Sequence, residues 1–170
     1  MTFGFDSSWP FSRSVMGIAD FANDLLSRLQ DARRSSTERK RPILFICHSL
    51  GGIVVKRAII LAHEDSDTYH DLQDAVKGVV FMGTPHRGSQ IATFAQIAAN
   101  ILNSLMPGNT IKRPLMRALS TNSRELEEIN RSFVPRCSSL ELASFYEAEI
   151  FPGLPTPVGR NMALSLRLCH

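Results

Sequence analysis

Short apolar runs alternate with amphipathic stretches along this chain, and the pattern predicts strands and helices in turn. Residues 43–47 form a strand-like apolar run, and a second apolar run at residues 53–62 follows almost at once. Ser49 and two glycines lie between them, so the pattern indicates a strand, a sharp turn and a helix. A further all-apolar run at residues 79–82, with a glycine on each side, is typical of a central parallel strand buried on both faces.

The remaining pattern predicts mostly helices, with one more strand. Apolar residues at helical spacing predict helices at residues 14–29, 89–105, 114–119 and 122–133. Residues 2–5 are typical of the tail of a strand, residues 140–146 predict another strand, and residues 33–41 and 64–74 are expected to be loops, the second with a helical turn at 70–74. Lys56 and Arg57 are expected to mark the wet face of the helix after Ser49. This alternation of strands and helices predicts an α/β fold with a mostly parallel sheet and flanking helices.

The turn at Ser49 has the pattern of a nucleophile elbow, in which a serine stands exposed at the tip of a strand–turn–helix. The backbone N–H of Leu50 would then face the developing oxyanion, at the positive end of the new helix. Strand and helix approach closely only past small residues, and Gly51 and Gly52 meet that demand on the helix side. Cys47 stands where the pattern G-x-S-x-G has its first glycine. The alternative is a serine that merely caps a buried helix.

Two sequence blocks resemble a known family. Residues 48–52 are H-S-L-G-G, beginning with His48, and residues 79–89 are V-V-F-M-G-T-P-H-R-G-S. Together they resemble the lipase-like α/β-hydrolases that include the serine-active-site-containing proteins and the fungal hydrolase domains often fused to repeat or NTPase modules. Residues 3–7 and 144–147 are similar to further blocks of that family. The resemblance covers about residues 3–150 and implies a partial α/β-hydrolase fold.

The resemblance implies a catalytic triad in the chain order serine, acid, histidine. No aspartate follows Asp74, and of the later glutamates only Glu147 and Glu149 come directly after a predicted strand. Glu147 also matches the family's S-F-Y-E block, so it is the expected acid. The only histidine beyond it is His170, the last residue of the sequence, which is therefore the candidate base.

The loop after the second strand, which begins at Gly83, is expected to lie beside the elbow at the catalytic edge of the sheet. Thr84 would cap or orient this loop. His86 precedes the candidate acids, whereas a catalytic histidine of this fold follows them. We therefore interpret His86 and Arg87 as residues that fix the loop or line the substrate site, and not as the catalytic base.

These observations predict hydrolysis of a carboxylic ester or related acyl bond through Ser49. The resemblance also implies upstream strands and a second oxyanion-hole loop that this sequence lacks, so we expect little activity from this chain as written. Residues 1–153 would form a partial hydrolase domain that is truncated at both ends, and residues 154–170 a divergent tail. This arrangement is compatible with part of a longer multidomain protein. Two alternatives remain: a catalytically inactive hydrolase-like module used for binding or signalling, and a non-functional fragment.

Composition and charge narrow the classes of partner. The 170 residues carry a net charge of +3 with scattered basic residues, which argues against a nucleic-acid partner. The basic cluster at residues 33–41 is interpreted as a solvated loop, with an anionic surface as the alternative. No metal-ligand spacing or phosphate-binding glycine loop is present, so no cofactor is expected. The expected substrate is a small ester or a lipid.

The three cysteines, Cys47, Cys137 and Cys169, are an odd number with no paired spacing, which fits a reducing, intracellular compartment. The cytoplasm is the first choice, and the resemblance leaves mitochondrial or endoplasmic-reticulum association open. No apolar run approaches the length of a membrane span. Peripheral membrane contact remains compatible with the sequence.

Overall fold

A computed structural model describes residues 1–4, 18–84, 86, 123–146 and 163–168 of the chain. The helices are α1 Ile18–Asp31, α2 Ser36–Arg39, α3 Leu50–Glu64, α4 Ser66–Ala75 and α5 Ser123–Phe133, followed by a 3₁₀ helix at Val134–Arg136. The strands are β1 Ile43–His48, β2 Val76–Met82, β3 Glu141–Tyr146 and β4 Ala163–Leu168.

The described strands form a sheet in the order β1-β2-β3-β4. β1, β2 and β3 run parallel, and β4 pairs with β3 in the antiparallel direction. The predicted α/β fold with a small, mostly parallel sheet and flanking helices is therefore confirmed. Because the three parallel strands end at one edge, the turn after β1 and the loop after β2 lie side by side there.

The register decides which side chains face the helices. Cys47 on β1 pairs with Phe81 on β2, which in turn pairs with Ser144 on β3. Partners in register share a face of the sheet, and Cys47 and Phe81 are buried. Leu44 and Ile46 point to the opposite face and are exposed. Cys47, Phe81 and Ser144 thus form a row on the helix-covered face.

Helix α3 is the centre of the core. It packs against α1, α4, α5 and β1, and most of its residues are buried, which explains how a helix so rich in β-branched residues is stable despite their modest helix propensity. The apolar face predicted for the first helix is buried, at Ile18, Phe21, Ala22, Leu25, Leu26 and Leu29. The described part of this helix begins at Ile18, since residues 5–17 lie outside the described residues.

Several expectations from the sequence are wrong. The stretch at 64–74 is mostly helix α4, whose N-terminus is capped by the Asp65 side chain accepting from the Thr68 N–H at 3.4 Å. The loop at 33–41 contains α2, which begins with a capping box between Ser35 and Glu38. Residues 1–4 form no strand, because they pair with none of the described strands.

The predicted tail contains an unpredicted strand, β4. Residues 163–168 pair along the whole of β3, from Glu141 with Leu168 to Tyr146 with Ala163. The predicted strand at 140–146 is confirmed at Glu141–Tyr146, and the one at 79–82 begins earlier, at Val76. The predicted helix at 122–133 is confirmed at Ser123–Phe133. The helices predicted at 89–105 and 114–119 lie outside the described residues.

Candidate active site

Ser49 occupies the tip of the predicted strand, turn and helix, in a backbone conformation that side chains rarely adopt. Its φ is 54° and its ψ −125°, and it is the one non-glycine residue of positive φ in the described part of the chain. Such a conformation costs on the order of 1–3 kcal/mol and persists only where the surroundings enforce it. The Ser49 side chain makes no capping hydrogen bond to α3. The alternative of a simple helix-capping serine is therefore wrong.

The strained turn is held by backbone hydrogen bonds on both sides. The Ser49 N–H donates to the carbonyl oxygen of Met82 at 2.8 Å, which joins the elbow to the end of β2. The Ser49 carbonyl oxygen accepts from the Gly52 N–H at 3.1 Å and from the Thr84 hydroxyl at 3.1 Å. Thr84 is buried. The loop after β2 thus contacts the nucleophile candidate directly, and Thr84 orients the turn as well as its own loop.

Gly52 is the glycine that the close approach requires. A Cβ built on Gly52 would lie 2.2 Å from Thr84 Oγ1 and 2.6 Å from Thr84 Cγ2. No atom of the described residues lies within 4 Å of a Cβ built on Gly51. The expectation that both glycines answer a steric demand therefore needs correction, because the crowding is at Gly52.

Leu50 is the first residue of α3. The N–H groups of the first turn of a helix have no acceptor within that helix and lie at its positive end. A backbone donor next to the nucleophile is thereby available for an oxyanion, as the sequence analysis predicts. That role stays a prediction.

Cys47 is buried at the end of β1 and behaves as a small apolar residue. Burial raises the pKa of its thiol to about 12, although the nearby Lys56 ammonium acts in the opposite direction. The thiol is therefore protonated at neutral pH and is a poor nucleophile. Cysteine is accommodated here because its side chain joins the core under α3. Cys137 is likewise buried, and Cys169 lies outside the described residues.

Lys56 is buried in the core, so the predicted position on the wet face of α3 is wrong. Its side chain is only 2% exposed, whereas a solvent-facing position was expected. The ammonium donates to Asn130 Oδ1 at 2.6 Å and lies 3.0 Å from His86 Nδ1. It also lies over the rings of Phe81 and Phe133, at 5.1 and 5.7 Å from their centroids. Burial lowers the pKa of Lys56 from 10.5 to about 8.

His86 lies between α3 and β3 and contacts both. Its Nδ1 faces the Lys56 ammonium, and its Nε2 lies 3.2 Å from Ser144 Oγ. The ring also packs edge-on against Phe81, with centroids 4.9 Å apart. These contacts support the interpretation of His86 as a residue that fixes the loop.

The remaining predicted site residues lie at the end of β1, in the loop after β2, or outside the described residues. His48 is exposed at the end of β1, in register with Met82. Gly83 has a φ of 60°, which suits glycine, and its N–H donates to the Phe145 carbonyl oxygen at 2.8 Å, so the loop after β2 is also joined to β3. Arg87, Glu147 and His170 lie outside the described residues, and their roles stay predictions.

Lys56, Asn130 and Ser144 were missed as site residues. The sequence contained a signal for Lys56 and for Ser144. Lys56 interrupts a helix that is otherwise apolar on most sides, and Ser144 opens the S-F-Y-E block. Asn130 carried no signal. Within the described ranges no group of three metal-binding side chains occurs, and no helix there is long and apolar enough to cross a membrane.

The α/β sheet and the elbow at Ser49 define an α/β-hydrolase. The Hydrolase_4 family model, described as "Serine aminopeptidase, S33", matches residues 4–138. The chain therefore belongs to this α/β-hydrolase family.

The curated relatives have low sequence identity to this chain and are much longer than it. The chain is 26% identical over 165 residues to "Protein SERAC1" of Danio rerio, which covers 97% of this chain and 23% of the relative. It is 28% identical over 149 residues to "Protein SERAC1" of Mus musculus and of Homo sapiens, which covers 86% of this chain and 20% of each relative. The chain thus spans about a fifth of the length of these relatives. No solved structure matches it significantly.

Proposed function

We propose that this chain carries the nucleophile of a serine hydrolase that cleaves a carboxylic ester or related acyl bond through Ser49. The single observation that carries the proposal is the strained backbone at Ser49, at a strand–helix junction and held by Thr84. A fold that maintains such strain at a serine, without using that serine as a cap, indicates that the Ser49 hydroxyl has a use. Membership of a hydrolase family supports the same reaction.

In this reaction the Ser49 Oγ attacks the acyl carbon while a base takes its proton. The tetrahedral oxyanion accepts from the Leu50 N–H. Its collapse breaks the acyl bond and returns the proton to the leaving alcohol or amine, and water then releases the acid from the serine by the same steps. By chain order we assign Glu147 as the acid that orients the base and His170 as the base, unless a longer protein supplies the histidine.

Two kinds of scissile bond, an amide and an ester, fit the proposal, and an experiment can choose between them. The family description names an aminopeptidase, which would make the substrate an amide. The lipase-like resemblance instead favours an ester of a small molecule or a lipid. It also favours peripheral membrane contact and an intracellular, fungal setting. Hydrolysis rates on a matched nitrophenyl ester and nitroanilide of the same acyl group separate the two. We favour the ester on the lipase-like resemblance. Because an amide-cleaving serine hydrolase also cleaves the more reactive ester of the same acyl group, cleavage of the nitroanilide as well would indicate the aminopeptidase.

A second candidate function is a catalytically inactive, hydrolase-like module used for binding or signalling. The observation that favours it concerns His86, the one imidazole described in the loop next to the elbow. Both ring nitrogens of His86 face other side chains, namely Lys56 and Ser144. His86 is thereby occupied, and activity depends on a base from elsewhere in the protein.

Fluorophosphonate labelling read by intact mass tests the proposal. The parent chain should gain one label, Ser49→Ala should gain none, and Ser66→Ala, which changes an exposed serine at the start of α4, should label like the parent. A thermal melt establishes that each variant folds. Absence of label on a chain that melts cooperatively contradicts the enzyme and favours the binding module. If the parent labels, His170→Ala decides whether His170 is the base.

A further inference from the structure

Lys56 is a buried cation whose partners in the described residues are all neutral. They are the Asn130 amide, the His86 imidazole and two aromatic faces. Fully buried lysines are rare, because removing an ammonium from water costs several kcal/mol unless partners replace the solvent. A methionine or leucine would fill the same space without that cost. The charge at this position therefore suggests a purpose beyond packing.

The hydrogen-bonding capacity of the ammonium determines the state of His86. An ammonium group has donors only, so Nδ1 must offer its lone pair to Lys56. The neutral ring then carries its hydrogen on Nε2, where it donates to Ser144 Oγ at 3.2 Å. A doubly protonated ring would point an N–H at the ammonium 3.0 Å away, which is electrostatically unfavourable.

The ring so oriented links three elements next to the nucleophile. Lys56 extends from α3, Ser144 belongs to β3, and His86 lies two residues beyond Thr84 in the loop after β2. Thr84 in turn donates to the carbonyl oxygen of Ser49. A chain of contacts thus runs from the buried ammonium to the strained turn.

We infer that Lys56 is a positioning residue for the nucleophile. It holds His86 as the neutral Nε2–H tautomer bonded to Ser144, and His86 thereby keeps the loop in the place where Thr84 bonds to the Ser49 carbonyl. This inference rests on the proposed function, because the group being positioned is the Ser49 hydroxyl. It accounts for the pairing of the G-T-P-H-R-G-S and S-F-Y-E blocks, which meet through His86 and Ser144.

NMR of the chain with ¹⁵N-labelled histidine tests the tautomer directly, with the His86 signals assigned by His86→Gln. The parent should show a neutral Nε2–H ring at neutral pH. Lys56→Met should change this signature to a mixture of the two tautomers. Lys77→Met, which changes an exposed lysine on β2, should leave it as in the parent. Among the described residues, the other titratable groups that act on Lys56 are the thiols of Cys47 and Cys137, and Cys47→Ala and Cys137→Ala should keep the tautomer of the parent.

The fluorophosphonate labelling rate tests the consequence for Ser49. Displacements remote from the reacting atoms can cost about 100-fold in rate, so we expect labelling of Lys56→Met to fall by about 10- to 100-fold while Lys77→Met labels like the parent. Ser144→Ala removes the other partner of His86 with a much smaller change to the core. It should also label more slowly, and it keeps the test valid if Lys56→Met fails to fold.

The two possible failures are separable. No label on the folded parent overturns the proposed function, and with it the positioning of a nucleophile. A parent that labels, with Lys56→Met and Ser144→Ala labelling at the same rate, overturns the positioning role alone. An Nδ1–H ring in the parent, or an unchanged His86 signature in Lys56→Met, also overturns it.

Discussion

Gly52 on α3 lies so close to Thr84 that any side chain would overlap it. The Cβ of a substituent would lie 2.2 Å from the Thr84 hydroxyl oxygen and 2.9 Å from Thr84 Cβ. Real Cβ atoms do not approach other atoms so closely, and Thr84 is buried, short and hydrogen-bonded to Ser49, so it has little freedom to move. The elbow therefore depends on contact between the first turn of α3 and the loop after β2.

Gly51→Ala and Gly52→Ala form a matched pair that tests this contact. Gly52→Ala should lower the free energy of unfolding by about 1–3 kcal/mol, as overpacking does, and should slow fluorophosphonate labelling of Ser49. Gly51→Ala should be neutral or stabilising by up to about 1 kcal/mol, because alanine favours the helix and its Cβ would contact none of the described residues. Urea unfolding measures both. Equal effects of the two substitutions would contradict the contact.

A double-mutant cycle identifies Thr84 as the cause. Thr84→Ala removes the two atoms nearest to the added Cβ and leaves the third at 2.9 Å. The cost of Gly52→Ala should therefore be smaller in the Thr84→Ala background, with a coupling energy of about 1 kcal/mol or more. Strict additivity would mean that the strain arises elsewhere.

The hydrogen bond of the Thr84 hydroxyl can be tested separately from the packing of the side chain. Thr84→Val keeps the shape and removes the donor to the Ser49 carbonyl oxygen, which still accepts from the Gly52 N–H. We expect a loss of about 1 kcal/mol in the free energy of unfolding and slower labelling of Ser49. Thr84→Ser keeps the donor and should label faster than Thr84→Val. The reverse order would show that the methyl group matters and the hydrogen bond does not.

The strands and the helix that carry the site could largely be predicted, because each is encoded by a pattern of neighbouring residues. The apolar run of β1, the small residues after Ser49 and the apolar α3 follow one another directly, and alternation marks β3. Helix α4 was missed because its residues are mostly polar and only Leu72 and Ala75 are buried. Strand β4 has clear alternation in A-L-S-L-R-L, but the prolines and glycine before it suggested a divergent tail.

Contacts between residues that are far apart along the chain could not be predicted from the sequence. Lys56, Asn130 and Ser144 are far apart along the chain, and a lysine is expected at the surface unless a structure shows partners for it. Periodicity places residues on one face of an element. It does not show which faces of α3, α5 and β3 meet around the ring of His86.

The strain at Ser49 can be measured by comparing two inactive variants. Ser49→Ala keeps a side chain at a φ of 54°, whereas Ser49→Gly adopts that conformation without penalty. Relief of about 1–3 kcal/mol of strain outweighs the roughly 0.5–1 kcal/mol that glycine loses through the unfolded chain. Ser49→Gly should therefore be more stable than Ser49→Ala by about 1 kcal/mol in urea unfolding, and neither should label. A more stable Ser49→Ala would show that the turn is not strained.

Lys56 and Cys47 give the stability of the chain opposite dependences on alkaline pH. Burial lowers the pKa of Lys56 from 10.5 to about 8, so between these values the unfolded chain holds a proton that the folded chain has released. Stability rises with pH wherever the unfolded state binds more protons. Burial raises the pKa of Cys47 from 9.0 to about 12, so from pH 9.0 upward the folded chain holds the extra proton and stability falls.

Urea unfolding of the parent, Lys56→Met and Cys47→Ala from pH 7 to pH 11 separates the two groups. The free energy of unfolding of the parent minus that of Lys56→Met should increase between pH 8 and 10.5, by on the order of 2–3 kcal/mol. The difference between the parent and Cys47→Ala should decrease above pH 9.0. The joint contribution of Lys56 and Cys47 should therefore rise between pH 8 and 9, change little up to pH 10.5, and fall beyond it. A parent-minus-Lys56→Met difference that does not change with pH would mean that Lys56 reaches solvent, and that the buried ammonium holding His86 does not exist.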